Sequence, residues 1–111
     1  MTVEMPGSVT VGPFAYTVLH DVAKLQAHER EKKRSYSGYS DHQALEIVVG
    51  PDEHPQMQRE TLWHEVKHCV IWLFGEYGKM DDETYVRCTS PMELAVLRDN
   101  PALVAYLTEA D

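Results

Sequence analysis

The sequence predicts an α+β domain: a small antiparallel sheet packed on one long helix, followed by a second, glutamate-bearing helix and a short C-terminal helix. Three observations predict it. Residues 14–22 and 43–49 are rich in β-branched and aromatic residues over strand-like lengths. Residues 56–74 contain no Gly or Pro and stop at Gly75, which suits the residue just past a helix end. Pro101 follows Asn100, the pairing expected of a helix cap and first helical position.

In chain order, residues 1–12 carry Pro, Gly and Ser and read as irregular. The run Phe14-Ala-Tyr-Thr-Val-Leu-His-Asp-Val22 has a partial period of two and reads as a strand. Residues 23–34 fit a short helix or a charged excursion, and residues 35–40 are turn-rich. The clearest strand is residues 43–49, closed by Gly50-Pro51. Residues 52–55 offer helix-start chemistry, with Pro55 suited to the first turn of the long helix. Leu62, Val66, Cys69, Val70, Leu73 and Phe74 make that helix apolar over much of its circumference, so burial is expected. Asp81 begins a second helical pattern, which Pro91 is expected to kink or divide. Residues 102–107 complete the chain as a short helix.

At 111 residues the chain is the size of one domain, spanning residues 1–111. A net charge of −8 argues against a general nucleic-acid binder. The run His28-Glu-Arg-Glu-Lys-Lys-Arg34 is basic only in its second half and suits a solvated face. No apolar run approaches a membrane span and the N-terminus has no signal-peptide pattern, so a cytoplasmic protein is expected. Cys69 and Cys88 do not make a disulfide framework and are expected to be free, buried and dispensable for metal binding.

The chemistry concentrates in Thr61-Leu-Trp-His-Glu-Val-Lys-His-Cys-Val-Ile-Trp72. His64 and His68 stand four residues apart, so on a helix their imidazoles share a face and can converge on one metal. Glu65 lies one residue round, placed to take a proton from metal-bound water. Catalytic zinc normally has three protein ligands, and no histidine follows His68. The remaining candidates are Glu76, Asp81, Asp82, Glu83, Glu93 and Cys88. Positions 83, 86, 90, 94 and 97 share one helical stripe. Val86, Leu94 and Leu97 mark that stripe as the buried one, which favours Glu83 ahead of Asp82 and the others. An oxyanion-stabilising donor is open among Tyr39, His42, His54, Tyr77 and Arg87.

These residues resemble a known group. A histidine-pair helix followed by a glutamate-bearing helix is the gluzincin arrangement, and the chain looks like the very small HExxH proteins of bacteriophages and prophages, akin to the minigluzincins. The resemblance covers most of the chain. It rests on Ile47 and Val49 before the motif, Glu60-Thr-Leu-Trp-His-Glu-Val-Lys-His68, Asp82-Glu83, and Leu97-Arg-Asp-Asn-Pro-Ala-Leu-Val-Ala-Tyr-Leu107. The chain departs from the group at Thr89-Ser-Pro-Met-Glu93, where an uninterrupted helix is expected. The resemblance implies a zinc metallopeptidase with one Zn²⁺ per chain and a peptide or protein substrate. It also implies an extended substrate bound by β-addition along the strand nearest the motif helix, here Leu45, Glu46, Ile47, Val48 and Val49.

The expected activity is therefore zinc-dependent peptide-bond hydrolysis, with His64, His68 and Glu83 as ligands and Glu65 as general base. Two rivals stand beside it: a zinc-bound module that binds a peptide or partner with little turnover, and another metal-assisted hydrolase. A general base has no use in a purely structural zinc site, so Glu65 favours an enzyme.

Overall fold

The computed structural model describes residues 3–51, 53–75 and 81–109. In chain order its elements are β1 (Ser8–Val11), β2 (Phe14–Leu19), α1 (Val22–Lys32), β3 (Gly38–Asp41), β4 (Glu46–Val49), α2 (Pro55–Trp72), α3 (Asp82–Asp99) and α4 (Pro101–Leu107). The α+β class is as the sequence predicts. The sheet, however, is mixed rather than antiparallel. Its order is β1-β2-β4-β3, with β1–β2 and β3–β4 antiparallel and β2–β4 parallel. A parallel neighbour requires a crossover rather than a tight turn, and α1 with β3 supplies it. Residues 23–34 thus resolve into a helix, while β1 and β3 occupy segments whose Ser, Gly and Pro content reads as turn.

One face of the sheet carries the core. Val9, Val11, Tyr16, Val18, Ile47 and Val49 meet Leu62, Val66, Cys69 and Val70 of α2, Val96 of α3, and Leu103 and Tyr106 of α4. On the opposite face α1 contributes no buried residue and is tied to β4 by the Lys24–Glu46 ion pair at 2.7 Å.

Pro55 opens α2 and the His54 ring accepts a hydrogen bond from the Gln56 amide at 3.1 Å, capping the helix start. The helix ends at Trp72, two residues before the sequence-based limit. There the amides of Leu73, Phe74 and Gly75 bond three residues back, tightening the last turn.

The α3 helix departs from expectation twice. It runs through Pro91 unbroken. Pro91 and Arg87, whose carbonyl Pro91 leaves without a donor, are both exposed, so water can satisfy that group. Its buried positions are Thr89 and Val96, whereas Val86 and Leu94 are 54% and 68% exposed. The stripe containing Glu83 therefore faces outward. Thr89 and Val96, seven residues apart and so on one face, mark the side of α3 that meets its neighbours.

Asn100 precedes α4, as expected, but its side chain does not cap that helix. Its Oδ1 accepts from the Thr10 amide at 2.8 Å, while Nδ2 donates to the Thr10 and Val96 carbonyls at 2.8 and 2.7 Å. One amide thus joins β1 to the end of α3. Among the described residues no helix is long and apolar enough to cross a membrane.

Gly38 sets how closely β3 lies against α2. A Cβ built there would fall 2.5 Å from the Val48 carbonyl oxygen and 2.9 Å from Thr61 Cγ2. The first of these is backbone and cannot rotate away. Gly38→Ala is expected to destabilise the fold by about 1–3 kcal/mol through overpacking. Urea titration of the variant measures it, and an unchanged midpoint would show that β3 has room to move.

Candidate metal centre

His64 and His68 lie on the exposed side of α2, with their Nε2 atoms 3.1 Å apart and ring centroids 4.7 Å apart. Two imidazole nitrogens this close would fit as ligands of one zinc, whose nitrogen ligands stand about 2.0–2.1 Å away. Lys67, between them in sequence, is drawn the other way: its ammonium lies 3.5 Å from Glu93 and over the Trp63 ring. The Lys67 charge is therefore drawn away from the imidazole pair.

The pair opens onto a cleft of about 540 Å³ bounded by β3, the segment before it and α2. His28, His42, His64 and His68, four of the six histidines, line this cleft together with Glu65. A wall rich in imidazole nitrogens suits a metal such as zinc better than the oxygen-seeking calcium or magnesium.

Glu65 is only 7% exposed, and its Oε1 accepts from the Ser40 hydroxyl of β3 at 2.9 Å. That bond anchors one carboxylate oxygen and leaves the other unpaired among the described residues. Behind Ser40 lies the Cys69 thiol, 3.8 Å away, which burial pushes up to about 11, so it stays protonated at neutral pH. Beyond Cys69 comes Tyr16, whose hydroxyl lies 2.9 Å from His42 Nδ1. Burial raises the Tyr16 pKa, with Cys69 adding to the effect, so the phenol is also neutral. His42 is pushed below the usual imidazole range by burial first and by His68 second. A part-buried polar chain thus links Glu65 to His42 through Ser40, Cys69 and Tyr16.

The other candidate residues fall differently. Glu83 is exposed and pairs with Arg87 one turn on, at 3.6 Å, because its stripe faces away from the core. Asp82 is exposed in the first turn of α3, and Glu93 is held by Lys67. Glu76 and Tyr77 lie outside the described residues. Among the described residues, no group of three or more His, Cys, Asp or Glu side chains is placed to hold a metal. Of the proposed oxyanion donors, Tyr39 and His42 line the cleft, His54 caps α2 and Arg87 is exposed on α3 beside Glu83, outside the cleft lining.

The substrate-strand expectation also changes. Residues 46–49 form an interior strand: β4 is bonded to β2 on one side and β3 on the other, and the carbonyl of Leu45, just before it, accepts from the Thr17 amide at 2.9 Å. It has no edge to offer. The free edge beside the cleft belongs to β3. There Ser37 accepts from the Gly50 amide, and antiparallel pairing of Tyr39 with Val48 continues that ladder. Alternation therefore turns the peptide groups of Gly38 and Ser40 outward.

Ser40 and Tyr16 carry no motif. The one sequence signal for Ser40 is the alternation of Gly38 and Ser40, which shares a face pointing at α2. Compared with protein-family models, curated proteins and solved structures, the chain matches none.

Proposed function

We propose that this protein is a zinc-dependent peptidase acting at the His64–His68 cleft. The observation that carries the reading is a buried carboxylate, Glu65, anchored through one oxygen by Ser40, on the same helix as two imidazoles whose nitrogens converge to 3.1 Å. Zinc, when bound by His64 and His68, would supply Lewis acidity to the scissile carbonyl and acidify the attacking water. Glu65 takes the water proton as the oxygen adds to the carbonyl carbon. It then delivers that proton to the leaving amine as the C–N bond breaks. The outward peptide groups of Gly38 and Ser40 would pair with an extended substrate, taking the role first assigned to residues 45–49.

Glu83 is the third ligand the resemblance implies. It lies on the outward stripe of α3 beside Arg87, outside the lining of the cleft, so its coordination would require α3 to turn as well as release of Arg87. Zinc affinity measured on Glu83→Ala, Asp82→Ala and Glu76→Ala assigns that ligand separately from the two histidines. The activity itself is tested by incubating zinc-loaded protein with a quenched fluorescent peptide library. Cleavage that stops on chelation and returns with zinc supports the reading, and peptide capture without cleavage would support the binding-module rival.

A further inference from the structure

We propose that His42 is the catalytic residue that donates a hydrogen bond to the developing oxyanion in this cleft, with Tyr16 as its positioning residue. The proposal rests on the peptidase reading above and adds a residue to it. A peptide carbonyl under attack gains negative charge on oxygen, and a donor already aimed at that oxygen stabilises the transition state more than the ground state.

His42 is fixed on three sides. It sits in the turn after β3, where Asp41 Oδ1 accepts from the Gln43 and Ala44 amides, both at 3.0 Å, and holds the turn closed. Its ring stacks on Trp72, one helical turn beyond His68, with centroids 4.8 Å apart and planes 13° from parallel. Tyr16 meets it edge-on at 89°, with the hydroxyl 2.9 Å from Nδ1. Such a ring has little freedom left to lose on binding substrate.

The same contacts assign its tautomer. The Tyr16 proton has two available acceptors, His42 Nδ1 and the Cys69 sulfur. Sulfur is a weak acceptor, so the hydroxyl donates to Nδ1. Nε2 then carries the ring proton. The two ring nitrogens point away from each other, so with Nδ1 turned to the core residue Tyr16, Nε2–H points away from the core. His42 lines the same cleft as His64, Glu65 and His68, which places its ring in the wall of the proposed reaction space. Tyr39, the other proposed donor that lines the cleft, has its ring flat on His28, with centroids 4.1 Å apart.

Nitrogen NMR of the imidazoles in the full-length, metal-free chain reads the tautomer without reference to activity. His42 is expected as the Nε2–H form, and Tyr16→Phe, which keeps the ring and removes only the hydroxyl, is expected to mix the two tautomers. With a peptide taken from the library, zinc-loaded His42→Phe should lose about 10²–10³ in kcat with KM and zinc affinity within threefold. Tyr16→Phe should lose about tenfold. His42→Gln, which retains an N–H donor, should recover part of the rate. An Nδ1–H tautomer in the parent, an unchanged kcat in His42→Phe, or loss of zinc in that variant would overturn the role of His42 while leaving the peptidase reading intact. A parent chain that cleaves nothing in the library when zinc-loaded would overturn both.

Discussion

Glu65→Gln is expected to lose about 10²–10⁴ of the peptidase rate while keeping fold and zinc. The Gln amide oxygen can still accept the Ser40 hydroxyl that now bonds Glu65 Oε1 at 2.9 Å, so the buried position stays satisfied. What the amide cannot do is take a proton from water. The comparison needs three measurements on the same preparation: zinc content, melting temperature and cleavage of a responsive peptide. A variant that cleaves at the parental rate would remove Glu65 as the base. A variant that unfolds would say nothing about chemistry, but Ser40→Ala, which frees the carboxylate without neutralising it, gives a second arm with a smaller rate loss.

Asn100→Ala is expected to destabilise the fold by about 2–4 kcal/mol. Three hydrogen bonds disappear together, and each buried group left without a partner costs about 1–3 kcal/mol. Asn100 is 9% exposed, and the Val96 carbonyl it satisfies lies in the core-facing last turn of α3. The Thr10 peptide loses both of its Asn100 bonds, so β1 should detach first and lose amide exchange protection. For a chain of this size the melting temperature should fall by about 10 °C or more. Asn100→Asp should be no better, because it removes both donations and sets a negative charge against helix C-terminal carbonyls. A shift of under 3 °C would show that the bridge is replaceable by water.

The sequence disclosed α2, β4 and the start of α4, because each is bounded by Pro or Gly and has one consistent periodicity. The pair β1 and β3 stayed hidden. Four-residue strands with Ser and Gly look like turns, and their identity comes from pairing with β2 and β4. Pairing is a long-range property that local propensity does not carry. The α3 stripe misled for a related reason. Apolar periodicity marked Val86, Leu94 and Leu97, yet the buried positions are Thr89 and Val96, on a different face. The site divides along the same line. His64, Glu65 and His68 are legible because one helix sets their spacing. Ser40 and His42 reach the cleft from β3 and the turn after it, with Tyr16 of β2 buried behind them, so only the folded chain brings them together.

Zinc binding by the His64–His68 pair is tested most directly by elemental analysis of the purified chain beside His64→Ala and His68→Ala. The parent is expected to hold about one zinc per chain after equilibration and dialysis, to release it to a chelator, and to melt lower without it. Each histidine variant should remain folded and hold substantially less. A folded parent that takes up no zinc, or histidine variants that bind it as the parent does, would contradict the assignment of this cleft as a zinc site.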